Sequence, residues 1–270
     1  MYNDLTKECR IVLNLKRKII GIKYLYIREE YDDCPAEQLE IKMTLCGLAA
    51  QAMKGKFVKA KNGCFSCQGG PHLLGMKQTP SFIGSGREYY EFGLYADMAI
   101  ARQAQNGLCA INQKIYGIVM GPLEKMDGAD VALFLCDTWQ AMRVMQGYTY
   151  YHGRAENIGM IGNQGLCSDL IARPYFMNDI NISMLCMGAR ISTGAEDGEV
   201  GIGMPIHLFE DVVKGIRNTI NVATEEKRKK ELKKRLELEN MDIPLEYGGI
   251  YVSNIKKMKY PEELYEKELF

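Results

Sequence analysis

The sequence predicts an α+β fold of mixed helices and short strands. Three observations point there: segments whose apolar residues recur at a helical period, short runs that are alternating or continuously apolar, and glycine-rich turns between them. Two similarly built cysteine pairs add the expectation of two similar halves, residues 1–125 and 126–220, in a pseudo-twofold relation. Residues 1–220 then form one compact domain, and 221–270 a charged helical and tyrosine-rich extension.

Residues 4–18 carry charged and apolar positions at a helical period, and Ile22 to Ile27 (Ile-Lys-Tyr-Leu-Tyr-Ile) reads as a strand. Leu39 to Lys54 reads as a helix containing Cys46, ended by Gly55. From Gly63 to Gly86, repeated glycines with Pro71, Pro80, Cys64 and Cys67 imply mostly turns. Residues 88–105 read as one helix and Gln113 to Val119 as a strand.

In the second half, Ala129 to Cys136 is an apolar strand, and Asp137 or Thr138 caps the helix after it. Gly165-Leu-Cys-Ser-Asp leads into a short helix, Asn181 to Met187 is a strand delivering Cys186, and a glycine-rich turn runs through Gly203-Met-Pro205. His207 to Ile220 is amphipathic through Leu208, Val212, Val213 and Ile216. The charged run from Glu225 reads as a solvated helix with Leu232 and Leu236 on one face, laced by Glu–Lys pairs worth ~0.2–0.5 kcal/mol each. The tail with Tyr247, Tyr251, Tyr260 and Tyr265 is expected to wrap the body or a neighbouring subunit.

Apolar residues at 47% and charged residues at 25% are ordinary for a soluble protein. The 34 basic and 34 acidic residues cancel, so bulk charge offers no attraction to nucleic acid or anionic lipid. The first residues place charges where a secretory signal has its apolar stretch, and no apolar run approaches the ~18–20 residues that span a bilayer. A cytoplasmic protein without membrane contact is expected, with room for a homo-oligomer.

In that reducing compartment, nine cysteines are poorly explained as structural disulfides. Cys9 and Cys136 sit in apolar segments and read as buried small hydrophobes, Cys34 as a loop thiol, and Cys109 as a packed position after a turn. The others are patterned. Cys46 opens an apolar helix and Cys67 follows 21 positions later, before Gln68-Gly69; Cys167 opens another and Cys186 follows 19 positions later, before Met187-Gly188. Soft thiolates select iron–sulfur clusters, zinc or copper. Four thiolates from different turns suit a [4Fe–4S] cluster, so Cys46, Cys67, Cys167 and Cys186 are the expected ligands, with Cys64 as a substitute for Cys67. The expected function is an iron–sulfur protein that transfers electrons to a redox partner protein or activates a small-molecule substrate.

Competing readings are packed thiols in a protein that binds a tetrapyrrole or other small ligand, and a non-enzymatic interaction protein. A dithiol pair at Cys64-Phe-Ser-Cys67 would need a helix after it, which Gln68-Gly-Gly-Pro-His disfavours, and zinc lacks a second CxxC. His72, Arg87 and Arg190 are candidates for flanking a bound group, and Tyr148, Tyr150, Tyr151 and His152 for lining a planar ligand, each with an ordinary packing or solvation role beside it.

Those same residues carry a resemblance. Cys46-Gly-Leu-Ala-Ala, Cys64 and Cys67-Gln-Gly leading to Leu73-Leu-Gly-Met, Gly121-Pro-Leu123, and Asp130-Val-Ala-Leu-Phe-Leu135 followed by Gln140-Ala-Met142 occur in this order. Gly165-Leu-Cys167-Ser, Leu185-Cys-Met-Gly-Ala-Arg190 and Gly201-Ile-Gly-Met-Pro205 complete the set. Over roughly residues 20–215 the chain resembles the cysteine-containing prokaryotic family called domain of unknown function 169. The resemblance implies a cytoplasmic, often anaerobic setting and directs attention to the four aligned cysteines as one site; it implies no settled activity.

Overall fold

The computed structural model describes residues 2–248; Tyr251, Tyr260 and Tyr265 lie outside them. Seven strands form one sheet: β1 (Ile20–Leu25), β2 (Glu37–Gln38), β3 (Val58–Lys61), β4 (Gly117–Pro122), β5 (Val131–Asp137), β6 (Asn181–Ser183) and β7 (Glu199–Pro205). Their order is β2-β3-β4-β1-β5-β7-β6. β2 and β3 are parallel and every other pair is antiparallel.

The helices before β5 are α1 (Asn3–Leu13), α2 (Arg28–Asp33), α3 (Leu45–Met53), α4 (Gly69–Leu73), α5 (Ser81–Gly84), α6 (Arg87–Glu91) and α7 (Met98–Asn106). After it come α8 (Thr138–His152), a π-helix (Gly165–Ala172), α9 (Arg173–Met177), α10 (Met187–Thr193), α11 (Phe209–Asn218), α12 (Ile220–Ala223) and α13 (Glu226–Leu238).

Both faces of the sheet are covered, as strand alternation requires. Val131, Leu133 and Leu135 of β5 enter one core with Cys46, Leu48 and Leu170, while Ala132, Phe134 and Cys136 enter the other with Val144, Val212 and Leu232. β1 splits likewise, sending Ile20, Ile22 and Tyr24 to the first core and Leu25 to the second. α3 and the π-helix thus lie on one face, and α1, α8, α11 and α13 on the other.

This is the mixed α+β fold read from the sequence, with local corrections. Asp137 caps α8 and forms a capping box with Gln140. The helix expected from Leu39 begins at Leu45, where Thr44 Oγ1 accepts the Gly47 N–H at 2.9 Å. Residues 88–105 form two helices, since Gly93 takes a left-handed φ of 71° and Asp97 caps the second. A one-turn helix, α4, does follow Cys67, with Pro71 in its first turn where no N–H is needed. The expected turn through Gly203 is the strand β7. Its glycines make room for a neighbour: a Cβ at Gly203 would overlap the backbone of Leu170 in the π-helix. Finally, α13 is packed rather than freely solvated. It buries Leu232, Leu236 and Lys229, whose ammonium donates to the Asn221 and Glu246 carbonyls at 2.9 and 2.6 Å.

Candidate functional site

The site gathers at the N-terminus of α3. Just before it, Met43 bridges to Phe65: Met43 N–H donates to Cys64 O at 3.3 Å and Ser66 N–H to Met43 O at 3.0 Å. This pairing docks the Cys64–Cys67 turn against the helix start, so that Leu45 N–H donates to Cys67 Sγ at 3.4 Å. Cys46, the second residue of α3, faces the core with Cys167. Unpaired N–H groups and the positive end of the helix dipole favour negative sulfur here.

The second half supplies Cys167 and Cys186. Cys167 lies in the π-helix, a form rare enough that its appearance usually marks a local functional constraint. Gly165 permits close approach to the Cys186 segment, since a Cβ there would sit 2.8 Å from Cys186 N. Leu185 adopts a left-handed φ of 67°, a strained conformation for this side chain. A buried chain holds that turn: Leu185 N–H donates to Ser183 Oγ at 3.1 Å, and Ser183 Oγ–H donates to Asp169 at 2.8 Å. Cys186 then caps α10, which is tied back to α3 through Thr44 Oγ1 and Ser192 Oγ at 3.1 Å.

Cys46 and Cys167 are 6% and 5% exposed, and their thiols lie close enough to shift each other's ionisation. Hydrogen bonding from Cys167 holds the Cys46 thiol below its ordinary pKa against burial, helped by Cys46's own backbone N–H. Cys167 is pushed well up, first by donating to Cys46, then by burial and by the proximity of Cys46, Cys67 and Cys186. The pair is therefore asymmetric: Cys46 gives up its proton more readily than Cys167. Cys67 and Cys186 are half-exposed beside it. Tyr89, its phenol pushed up by burial, is close enough to feel Cys167 and Cys186, and its hydroxyl pairs with the Gln164 amide. Gln164 packs across Gly69, where a Cβ would displace it.

The expected iron–sulfur centre is corrected by this arrangement. Among the described residues, no group of three or more His, Cys, Asp or Glu side chains is placed to hold a metal ion. Cys46, Cys67, Cys167 and Cys186 are neighbours, but they do not form such a group. Cys64 is half-buried and packs against the same core. The [4Fe–4S] cofactor, and the metal-binding and electron-transfer role built on it, are withdrawn.

The flanking candidates have structural partners. Arg87 pairs with Glu91 at 2.6 Å, and Arg190 donates to the Met184 and Glu199 carbonyls at 2.9 and 3.0 Å. His72 is buried and its Nδ1 meets Gln68 O at 2.7 Å; burial lowers its pKa. Tyr148 donates to Asp179 at 2.6 Å and stacks on His152. Sequence reading missed Asp169, which is 3% exposed and pushed up to about 7 by burial. A carboxylate inside the apolar run Gly-Leu-Cys-Ser-Asp-Leu-Ile-Ala was its signal.

Residues 10–215 match the family DUF169, described as uncharacterised ArCR. The chain is also 24% identical over 221 residues to the uncharacterized protein MJ0308 of Methanocaldococcus jannaschii, covering 81% of this chain and 94% of that protein. No solved structure matches. The chain belongs to the DUF169 family.

Proposed function

We propose that this DUF169 member is a thiol–disulfide exchange protein acting on a small-molecule disulfide, with Cys46 as nucleophile and Cys167 as resolving thiol. The observation that carries this reading is the meeting of two buried thiols at the N-terminus of α3, Cys46 more acidic than an ordinary thiol and Cys167 less. The thiolate is the attacking species in such exchange, and a helix N-terminus favours it. In the first step Cys46 thiolate attacks one sulfur of the substrate, forming a mixed disulfide and expelling one substrate thiolate. In the second, Cys167 gives its proton to that thiolate and attacks Cys46 Sγ, closing the Cys46–Cys167 disulfide and releasing the other substrate thiolate. One substrate disulfide is reduced to two thiol products while two protein thiols are oxidised. The half-exposed Cys67 and Cys186 line the approach.

A partly similar order of elements in residues 1–125 and 126–220 supports pairing one thiol from each. Residues 1–125 run β1, α3 with Cys46, β3, Cys67 before α4, then β4; residues 126–220 run β5, the π-helix with Cys167, β6, Cys186 before α10, then β7. β4 lies between β1 and β3, with β2 added outside β3, while β7 lies between β5 and β6, and β1 pairs with β5 across the middle. All nine cysteines are free, which supports a reducing compartment. No helix among the described residues is long and apolar enough to cross a membrane.

Trapping tests the reading. The Cys167→Ser variant treated with oxidised glutathione should accumulate glutathione on Cys46, read by peptide mass spectrometry, whereas wild type should resolve the adduct. Adduct confined to Cys34 or Cys64, or equal accumulation on Cys46 in both proteins, would refute it.

A further inference from the structure

We propose that residues 76–110 form a hinged flap that opens to give the small disulfide access to Cys46 and Cys167. This rests on the exchange reading and deepens it, because both thiols are buried and a substrate needs a route to them. The two ends of the segment meet. Ile111 N–H donates to Leu73 O at 2.8 Å and Ile115 N–H to Gly75 O at 3.0 Å, so the chain leaves and returns at one place. Gly75 takes a left-handed φ of 73° at the departure, and a Cβ there would overlap the Gln113 carbonyl.

Between those ends the segment folds on itself. The backbone hydrogen bonds of residues 77–108 stay within it, among them Tyr90 N–H to Gly86 O, Leu94 N–H to Tyr89 O and Ala101 N–H to Asp97 O, each at 3.1 Å. Gly86 lets the start of α6 lie on α7, since a Cβ there would sit 2.5 Å from the Ala101 carbonyl carbon. Ile83, Tyr89 and Ala101 are buried, yet they belong to neither core of the sheet. A unit that carries its own hydrogen bonds and shares little apolar packing with the body opens locally, below the free energy of global unfolding.

Among the described residues, three side-chain hydrogen bonds tie residues 77–108 to the body. Lys77 Nζ donates to Gln68 Oε1 at 2.5 Å close to the hinge. Further out, Asn163 Nδ2 donates to the Tyr95 hydroxyl at 3.0 Å, and the Gln164 amide donates to the Tyr89 hydroxyl. The Tyr89 and Tyr95 rings meet edge to face with centroids 6.4 Å apart, so the two bonds form one latch. That latch grips the residues just before the π-helix that carries Cys167, and Gly165, the next residue, packs against Cys186 N. The closed flap thus ends on the segment that holds the thiols.

Hydrogen exchange and thiol labelling of the full chain test the flap, and neither requires exchange chemistry. In wild type, the amides of Tyr90, Leu94 and Ala101 should exchange through an opening that leaves β5 protected. Tyr89→Phe and Tyr95→Phe each remove a latch hydroxyl and keep the ring. Each should speed N-ethylmaleimide labelling of Cys46 by about 2- to 10-fold, the factor that one lost hydrogen bond gives to an opening equilibrium. The pH midpoint of that labelling, and the labelling of Cys136 in the other core, should match wild type. Cys46 labelled at the wild-type rate in both variants, Cys46 and Cys136 accelerating together, or α6 and α7 amides exchanging only with those of β5 would overturn the proposal. Faster Cys46 labelling with no glutathione adduct would leave the flap standing as the gate to these thiols and remove only the exchange reading.

Discussion

Replacing Cys167 by alanine removes the hydrogen bond that lowers the pKa of Cys46 and should change the reactivity of Cys46 by a calculable amount. A hydrogen bond to a charged group contributes about 1.5–3 kcal/mol, so without it the Cys46 thiolate is disfavoured by that amount and the thiol titrates at higher pH. At a fixed pH below both values, its thiolate fraction falls about 10- to 100-fold. A more basic thiolate is also more nucleophilic, which with a Brønsted slope of about 0.4–0.5 returns roughly 3- to 8-fold. The net expectation is alkylation of Cys46 at neutral pH about 3- to 12-fold slower in the variant. Iodoacetamide labelling followed by mass spectrometry of the Cys46 peptide, repeated across pH, measures both the rate and its midpoint. Cys167→Ser, which keeps a donor, should fall between wild type and alanine. An unchanged midpoint in Cys167→Ala would refute the coupling.

Three further outcomes follow from the packing. Gly203→Ala places a methyl against the Leu170 backbone and should cost about 3 kcal/mol, lowering Tm by roughly 5 °C or more in thermal denaturation. Cys136 is buried and pushed up to about 12 by that burial, so it should resist alkylation at neutral pH; Cys136→Ala should cost about 1–2 kcal/mol while leaving the Cys46 profile unchanged. Asp169, raised to about 7 when folded, binds more protons in the native than in the unfolded state between about pH 4 and 7. Its contribution is complete at the acidic end and is lost as pH rises through 7, by about 4 kcal/mol at most, so stability of wild type relative to Asp169→Asn in urea titrations should decline across that window.

What the sequence disclosed was chiefly local chemistry. Asp137 followed by an apolar helical pattern announced the α8 cap, and the continuous apolar run of β5 announced a strand. β7 was hidden because Gly201 and Gly203 resemble turn residues when read alone; their purpose, admitting Leu170, exists only once the π-helix is packed. The start of α3 was misplaced because Leu39 and Ile41 extend the apolar pattern upstream of the true cap at Thr44. Grouping Cys46, Cys67, Cys167 and Cys186 was legible from their spacing and following glycines. Whether those four form a group able to hold a metal was not, because that depends on tertiary placement. The supporting Asp169, Ser183 and Leu185 turn is likewise a tertiary arrangement.

Disulfide mapping of the intact protein tests the central claim most directly. After brief treatment with a small disulfide, non-reducing digestion and mass spectrometry should find a Cys46–Cys167 crosslink as the first to form, reversed by a dithiol reductant. A Cys64–Cys67 crosslink formed first, or Cys46 and Cys167 recovered as free thiols while other cysteines oxidise, would contradict it.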